Sequence, residues 1–98
     1  MEIKKKLEDK TLAVEVIGRL DTTTAPELEA QLKFSLEEIN ELTFDLNQLE
    51  YISSAGLRVL LSAQKVMNKQ GKMTLINVKP EIMEVFEITG FTDILTIQ

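Results

Sequence analysis

Apolar and polar residues alternate near the beginning of the chain, and this alternation predicts β-strands. Two such segments, around residues 3–7 and 12–16, are separated by the polar residues 8–10. Two strands with a short polar joint between them form the pattern of a β-hairpin. Residues 18–23, which follow the second segment, have the composition of a loop.

Further along the chain, three more segments predict strands. Leucine and phenylalanine alternate with other residues over positions 42–46, and residues 73–78 form another apolar run. Residues 94–97 predict a last short strand. We expect residues 48–52 to be a connection that leads into a helix.

Three other segments repeat apolar residues every three or four positions, which is the pattern of amphipathic helices. The first has leucines at every fourth position from Leu28 and is predicted to extend to about residue 38. It begins at the segment TAPE, residues 24–27, which has the form of a capping box. The second helix is predicted over residues 54–70 and the third from Pro80.

Glycines follow the second and third predicted helices. Gly71 stands directly after one helix and Gly90 after the other. Glycine readily adopts the left-handed conformation that ends many helices, so we expect it to act in this way here.

The predicted order of elements is therefore ββαβαβαβ. Strands that alternate with helices after a hairpin predict an α/β fold with a mixed β-sheet and helices packed on it. Residues 1–98 are enough for a single domain and leave no room for a second.

Composition and charge exclude several classes of function. The formal net charge is −5, whereas nucleic-acid-binding proteins favour a basic surface. Cysteine and histidine are both absent, which removes thiolate nucleophiles, the commonest metal ligand and the commonest general base. The start of the chain is charged, and no apolar run approaches the length of a membrane span. We expect a cytoplasmic protein without a cofactor and without direct membrane insertion.

The segment YISSAGLRVLL, residues 51–61, places two serines between a strand-like and a helix-like stretch. Ser53 is well placed as the N-cap of the second helix, where its oxygen accepts hydrogen bonds from first-turn amides. Ser54 is then the first helical residue. At 100° per residue it leans towards the side of Arg58, away from the core, so its hydroxyl is expected to face solvent.

The same helical projection assigns the other residues of the second helix. One broad arc faces the sheet and contains Val59, Leu60, Ala63, Val66 and Met67. Gly56 points into that arc, where the lack of a side chain allows the helix to approach the sheet closely. The cationic residues Arg58, Lys65 and Lys69 lie on the opposite side, and Leu57 and Leu61 lie on the flank.

Two interpretations of the serine pair remain open at this point. Both serines can be caps and turn formers, which are common roles for serine. Alternatively, Ser54 is a phosphorylation site, because a phosphate of about −1.5 to −2 charges is favourable at a helix N-terminus. The domain would then survive the modification, and the added charge would act on a protein that docks over Ser54.

Catalytic and metal-binding interpretations have less support. A serine nucleophile would lack a histidine base, and the segment is neither a G-x-S-x-G elbow nor a phosphate-binding glycine loop. A serine–lysine pair with Lys65 or Lys69 has no specific pattern in its favour. Asp21, Asp45 and Glu50 are acidic residues at predicted loop ends, and solvated or capping roles account for them. We therefore expect neither an enzyme nor a metal site.

Three segments of the chain resemble the STAS domain, specifically that of the bacterial anti-sigma-factor antagonists. GRLDTTTAPEL, residues 18–28, is similar to the family's loop and first-helix start. FDLNQLEYISSAGLRVLL, residues 44–61, resembles its signature. VFEITGFTDILTI, residues 85–97, is similar to its last helix and strand. The resemblance covers nearly the whole chain.

The resemblance implies a partner-switching regulator of transcription. In this family the unmodified antagonist binds an anti-sigma factor, which is also a serine protein kinase, and the sigma factor is released. The kinase then phosphorylates the antagonist and breaks the complex, and a serine phosphatase reverses the modification. The family's phosphoacceptor corresponds to Ser54. Many members have aspartate just before it, whereas this chain has Ser53, which becomes a second possible acceptor.

The resemblance also implies a partner-binding surface around the serines. We expect it to contain Asp21, Thr22, Thr23, Ser53, Ser54, Ala55, Leu57, Arg58 and Leu61. Turn and cap chemistry is an equally good interpretation of Asp21 and the threonines, and Arg58 can simply be solvated. Asp45 corresponds to a strand-end aspartate that can support the serine loop.

A second function is compatible with the same fold. Some STAS modules are not phosphorylated and act as subunits of a membrane transport ATPase complex, and the fold alone does not distinguish them from antagonists.

Overall fold

A computed structural model describes all residues from Met1 to Gln98. Five strands and three α-helices follow one another along the chain: β1 (Glu2–Glu8), β2 (Thr11–Leu20), α1 (Ala25–Ser35), β3 (Glu41–Asp45), β4 (Leu49–Ile52), α2 (Ser54–Gln70), β5 (Lys72–Ile76) and α3 (Pro80–Thr89). A short 3₁₀ turn, Phe91–Asp93, follows α3. The predicted mixed α/β fold with helices on a sheet is confirmed.

The five strands form a mixed sheet in which β2 is central. β1 and β2 make the predicted antiparallel hairpin, with Leu7 opposite Leu12. The remaining pairings are parallel, and the order across the main sheet is β1-β2-β3-β5. β2 pairs with β4 from Gly18 to Leu20, and the register of that pairing shifts between Gly18 and Arg19. β2 therefore has one parallel partner along its first half and another at its end.

The hydrophobic core lies between one face of the sheet and the helices. Alternate residues of the central strands are fully buried, among them Val14, Phe44 and Leu75. Their neighbours along the same strands, such as Ala13 and Thr43, remain exposed or half-buried. The helices therefore cover one face of the sheet, and the buried residues form a single apolar cluster.

Several predicted boundaries differ from the structure. β4 lies within the segment that was expected to be a connection, and β2 continues to Leu20 through part of the expected loop. The predicted last strand is reduced to a single bridge between Leu75 and Ile97. Helix α1 ends at Ser35 rather than near residue 38. Val66, which was expected to face the sheet, is 40% exposed.

The two glycines that follow helices act differently. Gly90 adopts the predicted left-handed conformation, with φ of 79°. Gly71 does not, because its φ of 172° is extended. A Cβ atom at Gly71 would lie 1.9 Å from the carbonyl oxygen of Asn40. Close contact with the segment before β3, rather than a left-handed backbone, therefore requires glycine at this position.

None of the three helices has the length and apolar character that crossing a bilayer requires.

Candidate functional site

The serine junction lies where β4 ends and α2 begins. Ile52, the last residue of β4, is paired with Leu20 at the end of β2. The N–H of Ser53 donates to the carbonyl oxygen of Leu20 at 2.9 Å. The backbone of the junction is thus attached to the sheet, and the loop after β2 lies beside it.

Ser53 is the N-cap of α2, as the sequence predicts. Its backbone is extended, and its Oγ atom accepts a hydrogen bond from the N–H of Gly56 at 3.4 Å. Ser54 is the first residue of the helix and is exposed. The first turn of α2 contains no acidic residue, so no side-chain carboxylate within it offsets the positive end of the helix dipole. The helix dipole would therefore favour an added anion at Ser54.

Gly56 brings the first turn of α2 against the sheet. A Cβ atom at this position would lie 2.8 Å from side-chain atoms of both Leu20 and Ile52 and 2.9 Å from the carbonyl oxygen of Leu20. The close approach expected from the helical projection is confirmed. This contact sets the distance between the serine junction and the ends of β2 and β4.

Asp21 organises the loop between β2 and α1. Its Oδ1 atom accepts hydrogen bonds from the N–H of Thr23 at 3.0 Å, from the hydroxyl of Thr23 at 2.8 Å and from the N–H of Thr24 at 3.1 Å. Asp21 therefore caps the turn that precedes α1.

The predicted capping box at residues 24–27 is wrong. The side chain of Thr24 makes no capping hydrogen bond to α1. Its Oγ1 atom donates to the carbonyl oxygen of Arg19 at 2.8 Å and accepts from the N–H of Asp21 at 2.8 Å. These bonds point back to the end of β2, and the N–H of Glu27 donates to the carbonyl oxygen of Thr24 instead.

The hydrogen bonds to Asp21 also stabilise its charged form. The hydroxyl of Thr23, with the backbone N–H groups of Thr24 and Thr23, holds the pKa of the Asp21 carboxyl below its ordinary value of 3.8, although partial burial acts in the opposite direction. The Nε atom of Arg19 lies 3.7 Å from Oδ2 of Asp21. A fixed negative charge thus stands in the loop next to the serine junction.

Arg19 and Tyr51 were not predicted as site residues. They are paired across β2 and β4, and the guanidinium carbon of Arg19 lies 4.3 Å from the centroid of the Tyr51 ring. This distance is within the range of a cation–π contact. Their contact depends on the pairing of β2 with β4, and Arg19 was assigned to a loop, so the sequence carried no signal for it.

The structure groups most of the predicted partner-binding residues around the junction. Four of them are exposed: Thr22, Thr23, Ser54 and Arg58. Four are partly exposed: Asp21, Ser53, Ala55 and Leu61. Leu57 is only 6% exposed and belongs to the core, so it offers little surface to a partner. Lys65 and Lys69 are exposed further along α2.

Asp45 does not support the serine loop. Its Oδ1 atom accepts from the N–H of Asn47 at 3.0 Å and from the side-chain amide of Asn77 at 3.2 Å, so it organises the end of β3 instead. No group of three acidic side chains lies close enough to hold a metal ion.

Comparison with known proteins identifies a family for the whole chain. The family model described as the STAS domain matches residues 2–98. BtrV of Bordetella bronchiseptica is 42% identical over 82 residues, which cover 82% of this chain and 71% of BtrV. The anti-sigma-B factor antagonist of Listeria monocytogenes is 32% identical over 100 residues, covering 100% of this chain and 87% of that protein.

Solved structures show the same fold. The anti-sigma factor antagonist SpoIIAA in its unphosphorylated form superposes with a TM-score of 0.85 at 16% identity, covering 99% of this chain and 88% of that one. An anti-sigma factor antagonist from Mycobacterium paratuberculosis superposes with a TM-score of 0.88 at 23% identity, covering 98% and 83% of the two chains.

Proposed function

The chain belongs to the STAS domain family, and on that premise we propose that it is an anti-sigma-factor antagonist switched by phosphorylation of Ser54. The observation that carries the proposal is the exposed Ser54 hydroxyl at the start of α2, beside the loop that Asp21 organises. The names of the curated relatives support the antagonist role over that of a transport ATPase subunit.

In this proposal the unmodified protein binds an anti-sigma factor through the surface around Ser54. The exposed side chains of Thr22, Thr23, Ser54 and Arg58 contact the partner. None of these side chains is buried in the core, so all four are accessible to a partner. The bound anti-sigma factor can no longer hold its sigma factor. Such an exchange takes place in the cytoplasm, where transcription occurs.

Phosphorylation would reverse the binding. A serine protein kinase, in this family the anti-sigma factor itself, transfers the γ-phosphoryl group of ATP to Oγ of Ser54. The hydroxyl proton is lost and ADP leaves. In this proposal the kinase supplies the base as well as the nucleotide. A phosphate of about −1.5 to −2 charges inside the interface costs desolvation and repulsion, and the complex dissociates. A serine phosphatase then restores the hydroxyl.

Ser54 is a better acceptor than Ser53. The Oγ atom of Ser53 accepts a hydrogen bond from the N–H of Gly56, and Ser53 is only partly exposed. Phosphorylation of Ser53 would require that cap to rearrange. The structurally similar SpoIIAA has been described in both unphosphorylated and phosphorylated forms, which is consistent with a switch on this fold.

The acceptor can be tested by intact-mass spectrometry after incubation with ATP and a candidate anti-sigma factor kinase, followed by peptide mapping across residues 49–65. We expect one added phosphate, located on Ser54 and absent from Ser54→Ala. The Ser53→Ala variant serves as the matched control and should still be modified. Phosphate on Ser53 alone, or none with any kinase of this class, contradicts the proposal.

The switch itself can be tested by titration calorimetry with the same anti-sigma factor. Ser54→Asp should bind at least about tenfold more weakly than the wild type, since interface charges without partners commonly cost more than 1.4 kcal/mol. Lys69→Asp is the control for charge, because it changes the net charge by two units on an exposed position far along α2. Equal affinity of Ser54→Asp and the wild type would show that charge at this site does not control binding.

A further inference from the structure

A groove runs along the surface between α1 and α2. Leu32 and Leu36 line it from α1, and Val59, Ala63 and Val66 line it from α2. It encloses a cavity of about 300 Å³. Val66 is 40% exposed here, although the helical projection had placed it against the sheet. The other four apolar side chains are buried and form the floor of the groove, so Val66 is its one well-exposed apolar side chain.

The groove is continuous with the proposed phosphorylation site. A neighbouring hollow of about 330 Å³ shares Glu29, Val59 and Ser62 with it. That hollow extends to Thr22, Ala55 and Arg58, which flank Ser54. From Ala55 to Val66 the helix rises by about 16 Å. A partner seated on Ser54 would therefore have an apolar path to follow along α2.

The charges around the groove favour an acidic occupant. Lys33 on α1 and Arg58 on α2 border it, against a single acidic residue, Glu29. The whole chain carries a net charge of −5, so this excess of positive charge is local. Complementary charge mainly selects a partner and speeds its association.

We propose that the groove binds an amphipathic helical segment of the anti-sigma factor, which inserts an apolar side chain and directs carboxylates towards Lys33 and Arg58. This proposal rests on the proposed function. The partner would then make two contacts, one at Ser54 that phosphorylation removes and one in the groove that it does not touch. The groove contact supplies affinity for the unmodified state, and the phosphate must overcome it.

The experiment fills the groove with a side chain from an exposed position. Ser62 lines both hollows and is exposed, so Ser62→Trp should block the groove without disturbing the core. Lys65→Trp is the matched control, because Lys65 is exposed on α2 but lines neither hollow. Each variant is titrated with the purified anti-sigma factor kinase that phosphorylates this chain. We expect Ser62→Trp to bind at least about tenfold more weakly and Lys65→Trp to bind within about twofold of the wild type.

A second variant keeps the test decisive if Ser62→Trp does not fold, which circular dichroism and thermal unfolding would reveal. Val66→Glu places a carboxylate at the half-exposed end of the groove and should weaken binding of an acidic segment by a similar factor. The same variants also test whether a second copy of this chain occupies the groove. If sedimentation shows that the protein alone dimerises and that Ser62→Trp abolishes the dimer, the groove holds a second copy and the inference is overturned.

The outcomes separate this inference from the function on which it rests. If the wild-type protein binds no anti-sigma factor, the proposed function itself fails. If the wild type binds and a folded Ser62→Trp binds equally well, the function stands and only the groove contact is wrong.

Discussion

Among the residues of the serine junction, Gly56 has little room for a side chain. In an exposed helix, alanine in place of glycine usually stabilises a protein by about 0.4–1 kcal/mol. At Gly56 the new Cβ would meet the buried side chains of Leu20 and Ile52 and the carbonyl oxygen of Leu20, all closer than 3.0 Å. We therefore expect Gly56→Ala to lower the free energy of unfolding by about 1–3 kcal/mol, as for an overpacked core. Urea denaturation of the two proteins measures this difference.

The control for Gly56 is a change of similar size at an open position of the same helix. Ser62→Ala alters an exposed residue of α2 and should change the free energy of unfolding by less than about 0.5 kcal/mol. A Gly56→Ala protein as stable as the wild type would mean that α2 can move away from the sheet without loss.

The hydroxyl of Thr23 is the strongest influence on the Asp21 carboxyl. We expect Thr23→Val to raise the pKa of Asp21 towards its ordinary value, because a donor to the charged form is lost. Side-chain carboxyl chemical shifts followed by NMR through an acid titration measure this pKa. Thr22→Val is the matched control, since the neighbouring hydroxyl is not among the groups that shift Asp21. An unchanged pKa in Thr23→Val would assign the shift to the backbone amides instead.

The direction of this pKa shift also sets its effect on stability. The pKa of Asp21 is lower in the folded state than in the unfolded chain. Its hydrogen bonds therefore stabilise the fold fully at pH values above 3.8, the ordinary pKa of the group. That contribution is lost as the pH falls through the folded-state pKa. Thr23→Val should therefore lower the free energy of unfolding at pH 7. At a pH below both the folded-state and the unfolded-state pKa of Asp21, this loss should disappear.

The residue roles that the sequence predicted correctly depend on local geometry alone. Ser53 as a cap and Gly56 as a close contact follow from the positions of both residues in one helical turn. Thr24 was misassigned because its hydroxyl bonds to the backbone of Arg19 and Asp21, while the N–H of Glu27, which a capping box would use, donates to the carbonyl oxygen of Thr24. A capping motif predicts a cap only where no other backbone group binds the capping side chain.

At the scale of elements, Gln70 at the end of α2 links the two long helices. Its side-chain amide donates to the carbonyl oxygens of Leu36 and Ile39, both at 2.7 Å, and so satisfies groups after the end of α1. Gln70→Glu removes these donors and places a carboxylate against two carbonyl oxygens. We expect a loss of about 1–3 kcal/mol in the free energy of unfolding, measured by urea denaturation.

Gln98→Glu makes the same chemical change at an exposed position and should have almost no effect. If Gln70→Glu changes the free energy of unfolding as little as Gln98→Glu does, the two hydrogen bonds of Gln70 do not contribute to stability. Its pH dependence adds a check, since protonation of the new carboxyl at low pH restores one donor and should recover part of the loss.

The predictions for β4 and for residues 94–97 were wrong for the same reason. In β4, Leu49 and Ile52 are buried while the two residues between them are exposed, so the strand shows no alternation. Residues 94–97 do alternate, yet only Ile97 is paired with β5. Periodicity reports burial of side chains, whereas a strand is defined by backbone pairing, and the two diverge in short segments at the margin of a sheet.

At the scale of the whole molecule, folding and partner binding are separable. Ser54 is exposed at the positive end of α2, so a phosphate there requires no rearrangement of the core. We expect phosphorylation to change the free energy of unfolding by no more than about 1 kcal/mol, while the affinity for the anti-sigma factor falls. Thermal and urea unfolding of both forms measure the difference. Marked destabilisation on phosphorylation would mean that the switch acts by unfolding the domain.

The overall architecture was predictable because β2, β3 and the three helices each have a clear period, whereas the alternation in β1 is weak. The position of the serine junction was also predictable, since it requires only one helical projection. The groove between α1 and α2 was not, because it depends on how two helices distant in sequence lie side by side. The pairing of Arg19 with Tyr51 depends in the same way on long-range strand register.

The central position of β2 has a consequence for how the chain acquires its structure. Its only partner close in sequence is β1, joined to it by a two-residue turn. Its parallel partners β3 and β4 lie some thirty residues away along the chain, with α1 in between. Contacts between distant residues slow folding, because a long loop must close before they form. We expect the β1–β2 hairpin to be organised in the transition state and the serine junction to assemble late, so that φ-values would be higher in the hairpin than at Ile52. If the proposed function holds, a newly made chain would then be a poor substrate for a serine kinase until β3 and β4 had paired with β2.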